Sequence, residues 1–120
     1  MRTDNQILID SKVFALRIIK LYKYLNVEKN VKILSKQVLR CGTSIGANIR
    51  ESVNAQSKMD FINKLNIGLK EANETEYWLE LLHESGFIDE KQFKSINDDC
   101  CKLIATLTKI IKTTKTNLNK

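Results

Sequence analysis

Apolar side chains recur at three- and four-residue intervals along most of the chain. Phe14, Ile18, Leu21, Tyr22 and Leu25 form one such stripe, and the spacing predicts a helix over residues 11–25. The polar segment 26–30 breaks the pattern. It resumes with Val31, Leu34, Val38, Cys41, Ile45, Ile49 and Val53, predicting a second helix over 31–56. Ser57, followed three residues later by Asp60, has the form of a capping box and opens a third helix, 58–85. That helix carries Phe61, Leu65, Leu69, Ala72, Leu79 and Leu82 and ends at Gly86, which tolerates a left-handed turn. Asp89 and Gln92 repeat the box before a fourth helix, 90–115, with Phe93, Ile96, Cys100, Leu103, Leu107, Ile110 and Ile111. No proline interrupts these segments. Four amphipathic helices with short links predict an all-α, antiparallel up-down four-helix bundle.

A chain of 120 residues suits a single domain over 1–120, with its core at about 11–115. No apolar run is long enough to cross a bilayer of about 30 Å, so no membrane partner is expected. The start, MRTDNQILID, lacks the apolar stretch and cleavage site of a secretory signal, which points to the cytoplasm. Cys41, Cys100 and Cys101 are an odd number, two of them adjacent, and read as reduced thiols. The net charge of +6 is unevenly placed. Residues 1–40 hold nine Lys or Arg against three acids, 57–86 three against six, and 87–120 seven against four. Such asymmetry suits either a polyanion or the complementary surface of another subunit.

Few residues suggest chemistry. CGTSIGA resembles a phosphate-cradling loop only superficially, because Gly42 and Gly46 sit inside a helical pattern with no lysine after them; they read as points of close helix packing. Thr43, Ser44 and Ala47 make the other side of this helix narrow as well, hinting at a contact there. Glu80 and His83 have the Glu-x-x-His spacing of di-iron bundles, with Glu71, Glu74 and Glu76 nearby, but the chain has no second histidine. An acidic solvated face, with His83 near the helix C-terminus, accounts for them better. Cys41 lies on the core stripe with no local base, and Tyr77 and Trp78 are expected at the core or an interface. No metal, cofactor or catalytic residue is expected, and the chain does not read as an enzyme.

Basic faces carry the most specific hint. At 100° per residue, Lys91, Lys94, Lys102, Lys109 and Lys112 share an arc of roughly 80° opposite the apolar stripe of the fourth helix. Lys12, Lys20, Lys23 and, at the margin, Arg17 make a second strip on the first. Each can displace a counterion from a phosphate, although faces opposite a core are ordinarily charged and Asp98 interrupts the longer strip. Val13, Leu16 and Ile19 lie outside the first helix's core stripe, a surplus of apolar surface that predicts a homo-oligomer.

The strings QVLRCGTSIGANIRES and DFINKLNIGLKEANETEYWLELL resemble the signature of the 23S rRNA-intervening sequence protein family, with Cys41 where a serine is expected before Gly42. The resemblance covers about residues 12–112 and implies a four-helix bundle assembling as a ring-like pentamer. It extends in fold to the accessory variability factors of retroelements, whose basic barrel contacts RNA and a reverse transcriptase. That role does not carry over by resemblance alone, but with the basic faces above the sequence is expected to encode a non-enzymatic oligomeric adaptor contacting RNA or DNA through basic helix faces. The alternative is a protein-binding scaffold.

Overall fold

The structure, a computed structural model, describes residues 5–118; residues 1–4 and 119–120, the ends of the expected 1–120 domain, lie outside the described residues. Four helices form an elongated antiparallel bundle: α1 (Asn5–Lys23), α2 (Ile33–Val53), α3 (Lys58–Glu84) and α4 (Glu90–Leu118). The described residues contain no strand.

Helix α1 begins six residues before the predicted start. Ile7 lies seven positions before Phe14, in phase with Phe14 and Ile18, and its burial against the core holds the additional turns in place. At its other end α1 widens into a π-helical turn, Tyr24–Glu28, closed by Lys29 N–H donating to the Tyr24 carbonyl at 3.3 Å. Asn30 then takes the left-handed conformation at φ 55°, and Val31 N–H reaches back 2.8 Å to the Leu25 carbonyl. Leu25 and Val31 both enter the core, so the predicted start of the second helix belongs to the turn and α2 begins at Ile33.

The boundaries of α3 and α4 follow their caps. Ser57 Oγ accepts the Asp60 N–H at 3.0 Å, while the Asp60 carboxylate accepts the Gln56 N–H at 3.3 Å. At α4 the box is reciprocal: Asp89 Oδ1 accepts the Gln92 N–H and Gln92 Oε1 accepts the Asp89 N–H, both at 2.8 Å. Between them Gly86, at φ 82°, ends α3 in a Schellman turn, with Phe87 N–H bonded to the Leu82 carbonyl at 2.9 Å.

Helix α1 packs on α2 and α4, and α3 packs on the same two helices from the other side. The core runs the length of the bundle, from Ile7, Phe14 and Ile18 through Ile45, Ile49, Leu65 and Leu79 to Leu103 and Leu107. Gly42 and Gly46 face α1: a Cβ on Gly42 would meet Ile18 and one on Gly46 would meet Ser11. The two glycines thus bring α1 and α2 close within the chain. Ser11, Ser35, Ser52 and Thr75 are buried, and each hydroxyl donates to a carbonyl of the preceding turn, which removes the cost of desolvating it. The α1–α4 seam is joined differently. Arg17 spans it, donating to the Asp99 carboxylate at 2.6 Å and to the Ser95 hydroxyl and carbonyl at 2.8 and 3.2 Å.

Candidate nucleic-acid interface

The lysine strip of α4 stands on a solvent-facing surface. Lys91, Lys94, Lys102, Lys109 and Lys112 are exposed, because burial of Ile96, Cys100, Leu103, Leu107 and Ile111 fixes the opposite side of the helix inward. Lys12, Lys20 and Lys23 are exposed on α1. None of these eight ammonium groups is ion-paired among the described residues. Arg17, grouped with them by its helix position, is placed otherwise: its guanidinium is consumed by Asp99 and Ser95, making it a clamp between helices rather than a free cation.

The acids of α3 are in a different state. Arg40 on α2 pairs with both Glu71, at 3.2 Å, and Glu74; across the same seam, in the reverse sense, Lys64 on α3 pairs with Glu51 on α2 at 3.2 Å. Glu74 also accepts the Trp78 indole N–H at 3.0 Å; that bond, with Arg40 beside it, holds its carboxyl below the usual carboxylate range against the opposing effect of burial. The acidic face expected to be merely solvated is therefore partly neutralised across the α2–α3 seam. On the opposite, α1–α4 side Arg17 is paired with Asp99, while Lys20 and the α4 lysines of the strip have no ionic partner among the described residues.

Two open clefts lie along the α1–α4 seam, with Arg17 between them. One, of about 290 Å³, is flanked by Asp10, Asp99 and Lys102. The larger, of about 540 Å³, sits where α1 passes into its π turn, between Lys20 and Tyr24 on one side and Lys91 and Gln92 on the other. A third recess, between α1 and α2, is lined by Lys12, Thr43, Gly46, Ala47 and Arg50, so the small residues on the outer side of α2 border an open surface. Ser44 does not line this recess; it is half-buried, its hydroxyl donating to the Arg40 carbonyl at 2.7 Å.

The outward face of α1 interleaves two kinds of residue. Ile9, Val13 and Leu16 are 55%, 51% and 58% exposed, with Ile19 beside them. Lys12, Lys20 and Lys23 rise from the same turns, so the apolar and basic groups proposed for separate roles share one surface. Lys20 alone leans to the α4 side, where it joins Lys91.

This fold and this sequence match the 23S rRNA-intervening sequence protein family over residues 3–109, nearly the whole chain. The chain belongs to that family. A protein of unknown function from the S23 ribosomal protein family of Bacteroides thetaiotaomicron VPI-5482, with a crystal structure at 1.70 Å resolution, is 57% identical. It superposes with a TM-score of 0.88, covering 88% of this chain and 98% of that one. Comparison with curated proteins gave no match.

The glycine string GTSIGANI packs against α1 through Gly42 and Gly46. Cys41, its departure from the expected serine, is buried with its thiol 3.7 Å from the Val38 carbonyl, and burial pushes that thiol's pKa up. Cys100 is likewise buried, donating to the Ala72 carbonyl at 3.3 Å, with its pKa raised by burial to about 12. Cys101 is exposed, yet its hydrogen bond to Glu76, at 3.0 Å, raises it to about 11. His83 sits in the last turn of α3, where its ring stacks on Phe93 at 4.6 Å and its Nε2 lies 2.9 Å from a Glu90 oxygen. It thus meets a side chain across the turn rather than the helix carbonyls. Tyr77, expected at the core or an interface, is more than half exposed, while Trp78 packs against the core. Among the described residues, no three His, Cys, Asp or Glu side chains converge as a metal site requires, and no helix is long and apolar enough to cross a membrane.

Two features escaped sequence reasoning. The Arg17 clamp joins residues 78 and 82 positions apart, and no local pattern signals such a pair. The cleft at Tyr24 likewise joins α1 to Lys91, Gln92, Ser95 and Ile96, residues far along the chain that no local pattern brings together.

Proposed function

We propose that this protein is a non-enzymatic oligomeric adaptor that contacts the phosphate backbone of RNA or DNA through the α4 side of the bundle. The observation that carries this reading is a difference in pairing: Arg40 on α2 is matched by Glu71 and Glu74 on α3, and Lys64 on α3 by Glu51 on α2, whereas the α4 lysines and Lys20 have no ionic partner among the described residues. Unpaired lysines at helical spacing gain affinity by releasing counterions from phosphates and carry no base specificity.

The exposed apolar residues of α1 favour a second contact, between copies of the chain, and the family resemblance favours a pentamer. Because Lys12 and Lys23 share the α1 surface with Ile9, Val13 and Leu16, this reading gives the outer face of α1 to subunit contact and α4 to nucleic acid. Lysine stems flank apolar interfaces readily, since their methylenes pack while the ammonium stays wet.

The test is the double substitution Lys102→Gln with Lys109→Gln. It is expected to weaken binding to unrelated RNA and DNA sequences alike and to reduce the salt slope on duplex DNA by about 1.8, since each contact contributes about 0.9. Folding should change by less than about 0.5 kcal/mol because both side chains are exposed. Glu80→Gln, on exposed α3 surface, serves as control. If the wild-type protein fails to bind at low salt, or the double variant keeps its slope, the lysines are only solvated and the protein-scaffold reading replaces this one.

A further inference from the structure

We propose that the cleft at the junction of α1 and α4 receives an unpaired nucleobase from a single-stranded nucleic acid, stacking it against Tyr24 with the flanking phosphates on Lys20 and Lys91. The inference rests on the nucleic-acid reading above and deepens it, adding a ligand conformation to a contact that α4 alone would make with any phosphate chain.

Four observations meet at this place. The cleft's volume, about 540 Å³, falls within the range of about 300–1,000 Å³ usual for small-molecule sites. Leu21 and Ile96 line it with apolar surface suited to a base ring. Lys20 and Lys91 lie on opposite sides, one from each helix, and neither is ion-paired among the described residues. Tyr24 lines the cleft at the point where α1 passes into its terminal π turn, bringing an aromatic ring to the site.

The polar groups fit the same ligand. Gln92 Oε1 is held by the Asp89 N–H in the cap of α4, which fixes the amide and leaves its NH₂ as a donor for an acceptor on a base edge. Lys29 holds its ammonium over the Tyr24 ring, 5.8 Å from the centroid, adding positive charge at the aromatic surface. Arg17 contributes no phosphate contact, since Asp99 and Ser95 occupy it; its clamp keeps the two walls of the cleft at a fixed separation. A positive groove with an aromatic platform is the physical requirement for single-strand binding, because every base has a face that can stack. A duplex keeps its bases stacked on each other and offers none to Tyr24.

The experiment uses an unstructured single-stranded 12-mer carrying 2-aminopurine at its centre and a duplex of the same length. Wild-type protein should quench the 2-aminopurine of the single strand on binding. Tyr24→Leu, which keeps apolar bulk but removes the ring, should weaken single-strand binding about tenfold and leave duplex binding and its salt slope unchanged. Lys20→Gln with Lys91→Gln, both on exposed surface, should lower single-strand affinity and its salt dependence without altering the helical circular-dichroism signal. Should Tyr24→Leu prove unfolded, the lysine pair and the wild-type quenching decide the matter. Duplex binding together with absent quenching and an unaffected lysine pair overturns the cleft while leaving the proposed function standing; failure of the wild type to bind either nucleic acid overturns both.

Discussion

Replacing Gly42 with alanine adds one methyl group at the closest approach of α1 and α2. A Cβ there would lie 2.8 Å from Ile18 Cγ1, 2.9 Å from Cγ2 and 3.0 Å from Cδ1. Ile18 is fully buried and branched at Cβ, so its Cγ atoms cannot rotate away without entering other side chains. Alanine gains about 1 kcal/mol of helix propensity over glycine. Overpacking a filled core costs about 1–3 kcal/mol, and contact with three atoms of a fixed side chain belongs at the upper end. The net expectation is a loss of about 1–2 kcal/mol. In an Ile18→Ala background all three contacting atoms are gone, so the same substitution should become stabilising by about 1 kcal/mol. Gly68 supplies the contrast: its Cβ would meet nothing nearer than the Ile45 carbonyl at 3.5 Å, and Gly68→Ala should raise stability by about 0.5–1 kcal/mol. Urea unfolding followed by circular dichroism, at one protein concentration so that any association is held constant, reads these as shifts in midpoint at constant slope. A Gly42→Ala protein as stable as wild type, or an effect of the same sign in both backgrounds, would refute the packing argument.

Two further outcomes concern surface chemistry. Cys101 is the exposed thiol, but with its pKa near 11 it should be alkylated slowly by iodoacetamide at pH 8; Glu76→Gln should lower that pKa and speed labelling several-fold, as measured by mass spectrometry, while Cys41 and Cys100 react only after unfolding. An unchanged rate would show that Glu76 does not control the thiol. Leu16→Glu, at a position 58% exposed, should leave the helical signal intact yet reduce the mass found by light scattering at micromolar concentration; a wild-type monomer there would remove α1 from any subunit contact.

How much could be read in advance differed from element to element. The starts of α3 and α4 were legible because Ser57 and Asp89 act on amides within three residues, so sequence distance and spatial distance coincide. The start of α1 carried no comparable signal, and only Ile7 in phase with Phe14 marked the additional turns. The lysine strip of α4 was legible because helical angle alone sets it opposite the core. Its functional weight was not, since that depends on which charges are already paired, and Arg40 meets Glu71 and Glu74 from 31 and 34 positions away. The same limit hid the commitment of Arg17, which by helical angle looked like one more cation at the edge of a basic strip.

The clamp at Arg17 also bears on the order in which the bundle closes. Glu51 and Lys64, at the α2–α3 turn, are 13 positions apart, whereas Arg17 and Asp99 are 82 apart. Loop closure grows as about (3/2)RT ln n, so forming the second contact from an open chain costs about 1.6 kcal/mol more in entropy than forming the first. The α2–α3 hairpin can therefore assemble early, while the first and last helices meet only once the chain between them is folded. Their junction, joined by Arg17 and flanked by open clefts, is thus the seam that closes last. A ligand that bridges α1 and α4 would act as a fastener across that last seam, and its binding free energy would appear directly as resistance to unfolding.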